Sequence, residues 1–272
     1  MSEGRRTLPG MEVARRPEHP LLRRFVRSVG YYEFGGPTVR ERMLPTGAMQ
    51  LLVNLDADEM HEYDGDRVLR FGGAVMQGAR SHYCESDTDQ QRAIAVVSFE
   101  PGGGFPFFAA PPAATAGHLV EIDALWGRPG AVLRERLLEA ASPEAKLRVL
   151  EDVLLENAAE PPEPAIACAV ATLERGAPVG EVADRLGLTT KTFTRRFHDR
   201  VGLTPKRYAR VRRFQRALAS VPHDRPPDWA EIAVSCGYYD QSHLIRDFHE
   251  FAGMSPTRYR PRAPHELNHV PV

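Results

Sequence analysis

Two sets of side chains with matching spacing occur in the second half of the chain. The first set is Thr190, Lys191, Thr194 and Arg195, and the second set is Gln241, Ser242, Ile245 and Arg246. A spacing of three and four residues places the members of each set on one face of an α-helix. Arginine can donate two hydrogen bonds to a guanine, glutamine can pair with an adenine, and isoleucine can contact a thymine methyl group. The two sets therefore suit contacts with base edges in the major groove of DNA.

A further group of residues suits contacts with DNA phosphates. It consists of Thr189, Arg196, Lys206, Arg207 and Arg210. The segment from Arg185 to Arg216 carries 11 basic residues and one acidic residue, which is a net charge of +10. A basic segment of this kind favours binding to a polyanion, and phosphate contacts position a protein on DNA without distinguishing its sequence. The alternative is a solvated arginine face, because the chain contains 32 Arg against 3 Lys.

The elements that would position these residues form an internal repeat. Residues 181–210 (EVADRLGLTTKTFTRRFHDRVGLTPKRYAR) align with residues 231–260 (EIAVSCGYYDQSHLIRDFHEFAGMSPTRYR) when the second copy is allowed one extra residue in its turn. The turn glycines of the two copies are Gly187 and Gly237. Each copy predicts a short helix, a glycine turn and a second helix, with Thr189 or Asp240 as the N-cap of the second helix. This is the pattern of a helix-turn-helix motif.

A long helix is predicted between the two copies, from residue 204 to residue 220. Its Thr-Pro start is favourable for a helix N-terminus, and Val211, Phe214 and Leu218 form an apolar stripe along it. One stiff helix between two recognition helices fixes their separation. We therefore expect the two recognition helices to enter successive major grooves about one DNA turn, or roughly 34 Å, apart.

The segment from about Ala165 to Arg262 resembles the C-terminal DNA-binding domain of the AraC/XylS family of bacterial transcription regulators. The resemblance rests on VADRLGLTTKTFTRRFHDRVGLTPKRYARVRRFQRAL and EIAVSCGYYDQSHLIRDFHEFAGMSPTRYR, and it covers about 36% of the chain. By this resemblance, base contacts are expected from Lys191, Thr194, Arg195, Gln241, Ser242, Ile245 and Arg246. It implies a sequence-specific regulator that binds double-stranded DNA at a promoter and acts on RNA polymerase. The family usually couples this domain to an N-terminal effector or dimerisation domain, often a cupin-like β-barrel.

The first half of the chain has the pattern of a β-sheet domain. Short apolar runs separated by Gly, Asp and Asn occupy residues 40–100, which favours an antiparallel sandwich or a small barrel. The runs MQLLVNL and IAVVSF are nearly continuous and should form the most buried strands. A short helix is expected over residues 21–29, and a further helix is expected to begin at Ser142.

We therefore predict an α+β fold. The first domain is β-rich, a cupin-like barrel or sandwich with flanking helices, and the second is all-α, with two helix-turn-helix motifs joined by a long helix. The boundaries are a regulatory or dimerisation domain at 1–158, a linker at 159–164, the DNA-binding domain at 165–262 and a tail at 263–272. The halves differ in charge, since residues 1–160 carry a net charge of -6 and residues 161–272 carry +5.

Two apolar groups in the first half each have two interpretations. Leu133, Leu137, Leu138, Leu147, Leu150 and Leu154 could form a helical dimer surface or pack two antiparallel helices on the barrel. Phe105, Phe107 and Phe108 follow a triple glycine and could line a pocket or dimer face, or close the barrel. The sequence is therefore compatible with a homodimer and with binding of a small-molecule effector.

A metal-dependent activity is the alternative for the first half. His82, Cys84 and Glu85 lie close together in SHYCESD, and His61 could approach from another strand. The usual cupin arrangement of His-x-His followed by Glu is absent, and polar residues in a loop are the other interpretation. We expect no metal, no cofactor and no catalytic residue. The alternative function is a cupin-like enzyme or a metal-dependent small-molecule-binding protein fused to a DNA-binding domain.

Composition restricts the class of protein further. The three cysteines are far apart and odd in number, which argues against a disulfide framework and favours a reducing compartment. No uninterrupted apolar stretch is long enough for a membrane-spanning helix, and the N-terminus lacks the apolar core of a secretory signal. We therefore expect a cytoplasmic protein that is not inserted in a membrane.

Overall fold

The structure, a computed structural model, describes residues 12–108, 110–159 and 163–272. A β-rich first half precedes a helical second half, and the predicted α+β fold is confirmed. Residues 160–162 of the predicted linker lie outside the described residues, as do residues 1–11. Among the helices that the structure describes, none is long and apolar enough to cross a membrane.

The strands form two antiparallel sheets. They are β1 (Glu12–Arg15), β2 (Val26–Tyr32), β3 (Arg40–Met43), β4 (Gln50–Asn54), β5 (Glu59–Asp64), β6 (Arg67–Gly72), β7 (Ala74–Gln77), β8 (Cys84–Asp87), β9 (Ile94–Phe99), β10 (Leu119–Glu121) and β11 (His269–Pro271). The larger sheet has the order β1-β2-β9-β4-β7-β10, and the smaller sheet has the order β11-β3-β8-β5-β6.

The apolar runs of the sequence form two central strands of the larger sheet. Leu51 on β4 lies opposite Val97 on β9, and both side chains are fully buried. The other face of these strands carries Leu52 and Ile94, which pack with Met60 of the smaller sheet. Because both faces are covered, these strands are apolar at nearly every position.

The helices lie beside the larger sheet and throughout the second half. They are α1 (Pro112–Thr115), α2 (Ile122–Trp126), α3 (Arg128–Ala131), α4 (Leu133–Glu139), α5 (Pro143–Glu156), α6 (Pro164–Glu174), α7 (Val179–Arg185), α8 (Thr190–Val201), α9 (Pro205–Ala219), α10 (Trp229–Ser235) and α11 (Gln241–Ala252). Helices α1 to α5 belong to the first half, and α6 to α11 to the second.

The leucines of α4 and α5 pack against the body of the first domain. Ser142 is the N-cap of α5, as predicted, because its hydroxyl accepts a hydrogen bond from the Ala145 N–H at 3.2 Å. Five of the six leucines are fully buried: Leu133, Leu137, Leu147, Leu150 and Leu154. Leu138 is 46% exposed. The structure therefore shows these helices packed on the first domain, and α5 lies against β2 and β9.

Of the three aromatic residues that follow the triple glycine, Phe107 and Phe108 pack into the core of the first domain, and Phe105 lies 3.8 Å from the Arg200 guanidinium of α8. Phe107 and Phe108 are buried, and both rings contact Phe99 at the end of β9. Phe108 also stacks on Trp126 of α2, with ring centroids 5.4 Å apart. Of the two interpretations, closure of the domain is the one that this packing matches.

The helix predicted over residues 21–29 is wrong. A single 3-10 turn covers Leu22–Arg24, and the chain then enters β2, where Val26 pairs with Phe99 and Val29 pairs with Val97. Val26 and Val29 are both fully buried. A short apolar run is compatible with helix or strand, and pairing with β9 decides in favour of the strand.

The last residues of the chain return to the first domain. Within the predicted tail, β11 pairs antiparallel with β3 and places His269 opposite Met43. Val270 is buried, and the Leu44 N–H donates to the Asn268 carbonyl at 2.8 Å. A strand of three residues is too short to show a period of two, so no strand is expected there from the sequence.

A buried carboxylate on β3, that of Glu41, binds the returning segment. Glu41 Oε1 lies 2.8 Å from His269 Nδ1, and Glu41 Oε2 accepts a hydrogen bond from Arg262 Nη1 at 3.0 Å. Gln91 also donates a hydrogen bond to Glu41. This cluster joins the end of the second half to the smaller sheet of the first.

The Glu41 cluster gives a testable dependence of stability on pH. Burial alone would raise the pKa of Glu41, but the hydrogen bond and charge of His269 and the charge of Arg262 outweigh burial and hold this pKa below its ordinary value. Such a group stabilises the fold above its unfolded pKa of about 4.3, and the stabilisation is lost as the pH falls through the folded pKa. Between about pH 5 and about pH 3, wild-type stability should fall more steeply than that of Glu41→Gln, which does not titrate. Urea unfolding at several pH values measures both curves, and parallel curves would contradict the expectation.

Candidate nucleic-acid interface

The first helix-turn-helix motif consists of α7, a glycine turn and α8. Gly187 adopts a positive φ of 66°, which a residue with a Cβ adopts at a cost. The Leu188 N–H donates to the Ala183 carbonyl at 3.0 Å and closes the turn. Thr189 is the N-cap of α8, as predicted, because its hydroxyl accepts from the Thr192 N–H at 3.2 Å. The turn and the cap together set the direction of α8.

The second motif, formed by α10 and α11, repeats this geometry. Gly237 has a φ of 81°, and the Tyr238 N–H donates to the Ala233 carbonyl at 2.9 Å. The Asp240 carboxylate accepts from the His243 N–H at 2.7 Å and caps α11. The two predicted helix-turn-helix motifs are therefore confirmed as structural elements.

The extra residue of the second motif is Tyr239. Tyr238 makes the turn hydrogen bond that Leu188 makes in the first motif, and Asp240 takes the capping position of Thr189. Tyr239 lies between them and is 91% exposed. It therefore adds an aromatic side chain to the surface next to the N-terminus of α11.

The long helix α9 connects the two motifs through an aromatic core. Phe214 of α9 contacts Phe248 and Phe251 of α11, with ring centroids 5.0 and 5.4 Å apart. Tyr208, near the start of α9, contacts Phe197 of α8 at 5.6 Å. All five aromatic side chains are fully buried. Because α9 packs on both recognition helices, their separation is fixed by one element.

The eight candidate base-contact residues all lie on the two recognition helices. Six are exposed, namely Thr190, Lys191, Arg195, Gln241, Ser242 and Arg246, and the half-buried ones are Thr194 and Ile245. They occupy the first two turns of α8 and α11. This placement leaves each set free to contact a ligand, and base contact stays a prediction.

The opposite ends of the recognition helices rest on the first domain. Gly202, which ends α8, lies against Ala79 and Pro112. Gly253, which ends α11, lies so close to Tyr83 that a Cβ would collide with the tyrosine ring. Within the described residues, the first domain therefore contacts the C-terminal ends of both helices, and the exposed candidate base contacts lie at their N-terminal ends.

The candidate phosphate contacts differ in their surroundings. Thr189 and Lys206 are exposed, and Arg196 is exposed but forms an ion pair with Glu163. Arg207 and Arg210 are half-buried. Among the described residues, no carboxylate binds the Lys206 ammonium group. The Thr189 hydroxyl is neutral and accepts the capping hydrogen bond of α8.

Carboxylates of α11 balance the charge of the half-buried arginines. Arg207 and Arg210 both bind Glu250, and Arg210 Nη2 also lies 2.7 Å from Asp247 Oδ1. Burial alone would raise the pKa of Glu250, but hydrogen bonds from both arginines hold this pKa below its ordinary value. Arg207 Nη2 additionally lies 2.9 Å from His82 Nε2 of the first domain. Phosphate contact by Arg207 or Arg210 would require these internal contacts to be exchanged, and it stays a prediction.

The residues of the possible metal site suggested by SHYCESD point to separate partners. His82 lies against Arg207, and Glu85 Oε1 accepts from Arg42 Nε at 2.8 Å. Cys84 is buried, and burial raises the pKa of its thiol to about 12, which disfavours the thiolate needed for metal binding. These side chains therefore do not form a common ligand set.

Another cluster has the spacing of metal ligands. Within the described residues, ligand atoms of His61, Asp87 and Asp89 lie within 4.8 Å of one another. Asp87 Oδ2 already accepts from Tyr63 Oη at 2.6 Å, and Arg40 Nε lies 3.9 Å from Asp87 Oδ1. A neighbouring guanidinium opposes cation binding, so the cluster is better described as a hydrogen-bonded network.

The contacts between the first domain and α9 could not be predicted from the sequence. Gln215 Nε2 donates to the Pro45 carbonyl at 2.8 Å, and Arg212 Nη1 donates to the Thr46 carbonyl at 3.2 Å. Gly47 lies against Tyr208 of the same helix. In the sequence, Gln215 and Arg212 do not differ from the other polar residues of the basic segment. Only the tertiary structure shows that they bind the first domain.

The fold and the repeated motifs define the second half as a double helix-turn-helix domain. Comparison with known proteins supports this class. Residues 182–262 match the family described as a helix-turn-helix domain, and residues 15–121 match a domain of unknown function (DUF6597). The C-terminal domain is of the AraC type.

The relatives are named as transcription regulators. The chain is 34% identical over 79 residues to the HTH-type transcriptional activator RhaS of Escherichia fergusonii, which is 29% of this chain and 28% of that protein. It is 28% identical over 117 residues to the probable transcriptional regulator LumQ of Photobacterium leiognathi, which is 43% of each chain. The match thus spans less than half the length of these relatives.

Among solved structures, the chain is similar to ToxT from Vibrio cholerae. The likeness covers 85% of this chain and 97% of ToxT, with a TM-score of 0.46 and 10% sequence identity.

Proposed function

We propose that this protein is a sequence-specific DNA-binding transcription regulator. The observation that carries the proposal is the duplicated motif, in which two capped recognition helices expose equivalent polar faces and are joined by α9. Each helix enters a major groove with its N-terminal half, and the fixed separation favours two successive grooves on one face of DNA. Placement of the protein at a promoter then controls recruitment of RNA polymerase.

The first domain is proposed to regulate this binding in the cytoplasm, by sensing a small-molecule effector or by forming a homodimer. It touches the C-terminal ends of α8 and α11 as well as α9. A change in the first domain would therefore reach both recognition helices. This arrangement supports coupling between the two domains.

The proposal is tested by selection of genomic DNA fragments with the purified full-length protein at two salt concentrations. Enrichment of a site with two short conserved blocks about one helical turn, or roughly 34 Å, apart is the expected result. Affinity should fall steeply with salt, because arginine and lysine contacts release counterions from phosphates. Binding without an enriched motif would contradict sequence-specific recognition.

Arg195 and Arg246 should each contribute to base discrimination. Replacing either residue by alanine should cost about 1 to 3 kcal/mol on the selected site and relax the preference at one base pair. Competition binding against random DNA measures the change. Arg128→Ala is the control, because Arg128 is an exposed arginine of the first domain on α3. Equal losses on selected and random DNA would assign the two arginines to phosphate contact instead.

A further inference from the structure

A groove of about 1070 Å³ lies between the linking helix α9 and the second recognition helix α11. The turn between α6 and α7 also lines the groove, as does the glycine turn between α10 and α11. Arg246, a candidate base contact, lines this groove. The groove therefore opens next to the surface that is proposed to meet DNA bases.

The floor of the groove is held by a buried ion-pair network. Asp247 is fully buried, and its two oxygens lie 2.7 Å from Arg210 Nη2 and 3.2 Å from Arg213 Nη2. Arg213 also lies over the ring of Tyr238, 4.2 Å from its centroid. Glu250, which also binds Arg207, is the second carboxylate on Arg210, and these ion pairs fix the geometry of the floor.

The rim of the groove carries charge that is not balanced. It consists of four exposed cations from separate positions of the fold, namely Arg175, Lys206, Arg216 and Arg246. Arg175 donates to Thr172 Oγ1 at 3.2 Å and Arg216 to the Glu174 carbonyl at 2.8 Å, and both acceptors are neutral. Within the part of the chain that the structure describes, no carboxylate forms an ion pair with any of the four.

We propose that this rim binds the phosphodiester backbone of the DNA segment between the two contacted major grooves, with Arg175 and Arg216 as phosphate contacts. The proposal rests on the proposed function. Because α9 joins the two recognition helices, the DNA surface that faces it is the intervening minor groove, which is bordered by phosphates on both sides. Four unbalanced cations around a concave surface suit that ligand better than isolated surface arginines do.

Phosphate contact at this rim has a defined signature. It carries no sequence information, so its loss should weaken binding to selected and random DNA by the same factor. Each phosphate contact that is removed should also lower the slope of log affinity against log salt by about 0.9. A base contact or a structural residue would not produce both effects.

The experiment compares full-length wild type, Arg175→Ala, Arg216→Ala and the double variant on the selected site and on random duplex across a salt series. Each single change should weaken binding to both DNAs by roughly three- to tenfold at low salt and reduce the slope by about 0.9, with about twice that reduction in the double variant. Arg70→Ala is the matched control, because it removes one exposed arginine on β6, in the first domain, and changes the net charge equally.

Several outcomes would overturn the proposal. Variants indistinguishable from Arg70→Ala would contradict the rim as a phosphate site while leaving the proposed function intact. Loss on the selected site alone would assign the arginines to base discrimination. Wild-type protein that binds neither DNA would contradict the proposed function and the rim proposal with it. Calorimetric titration with ATP tests a free anion as the occupant: ATP binding that the double variant loses, with DNA binding unchanged, would overturn DNA as the ligand.

Discussion

Replacing Glu41 by alanine should lower the free energy of unfolding by about 3 kcal/mol, the lower end of the range for breaking a buried ion pair. The Glu41 side chain is fully buried, and it binds both Arg262 and His269. Without the carboxylate, Arg262 keeps its ion pair with Glu266, but its Nη1 loses its charged partner and keeps only the neutral Gln91 Oε1 as an acceptor. Urea unfolding followed by circular dichroism measures the change.

Two control variants test whether the stability cost comes from the contacts of the buried Glu41 carboxylate rather than from the loss of a negative charge. Glu59→Ala removes an exposed carboxylate that pairs with exposed Arg70, and it should cost less than about 1 kcal/mol. Deletion of residues 263–272 removes β11 with His269, a partner of Glu41, and Glu266, a partner of Arg262. A subsequent Glu41→Ala change should then have a smaller effect than in the full chain. Equal costs for Glu41→Ala and Glu59→Ala would contradict a role for Glu41 in holding the segment.

Local patterns explain why the recognition helices could be predicted from the sequence. Thr189 and Asp240 cap helices through N–H groups only three residues away, so the capping pattern is visible in a short stretch of sequence. The same holds for Ser142 at the start of α5. Apolar residues four apart, Phe193 and Phe197 on α8 and Leu244 and Phe248 on α11, define the buried face of each recognition helix and therefore the exposed one.

Long-range partners explain what the sequence did not predict. In the sequence, Asp247 is an acidic residue of an amphipathic helix, and only the approach of Arg210 and Arg213 from α9 explains its full burial. Val270 belongs to a strand that pairs with β3 at the other end of the chain. Neither feature has a periodic pattern, because each depends on contacts between distant segments.

For the first domain, the sequence predicts the fold but not the function. Its central strands were predicted because burial on both faces requires continuous apolar runs. Its function has no comparable signal, since His82 and Cys84 turn to separate surroundings rather than to a common ligand. Fold-level similarity does not supply a ligand for such a domain.

Replacing Asp247 by alanine should destabilise the protein by about 3 to 5 kcal/mol. The side chain of Asp247 is fully buried and bridges Arg210 and Arg213, whose guanidinium groups are mostly buried as well. Its removal leaves these two charges without their shared partner, and Glu250 can balance only Arg210. Because the bridge joins α11 to α9, the effect should concentrate in the second motif.

Urea unfolding measures the total change, and amide hydrogen exchange locates it. Exchange should accelerate in α10 and α11 while the strands β4 and β9 keep their protection, since local opening does not require unfolding of the first domain. Asp247→Asn retains a hydrogen-bond acceptor and should cost less than Asp247→Ala.

Asp199→Ala is the matched control. Asp199 is exposed on α8, at the position equivalent to Glu250, and its replacement should change stability by less than about 0.5 kcal/mol. A cost for Asp247→Ala as small as that of Asp199→Ala would show that the arginines of α9 do not depend on this bridge.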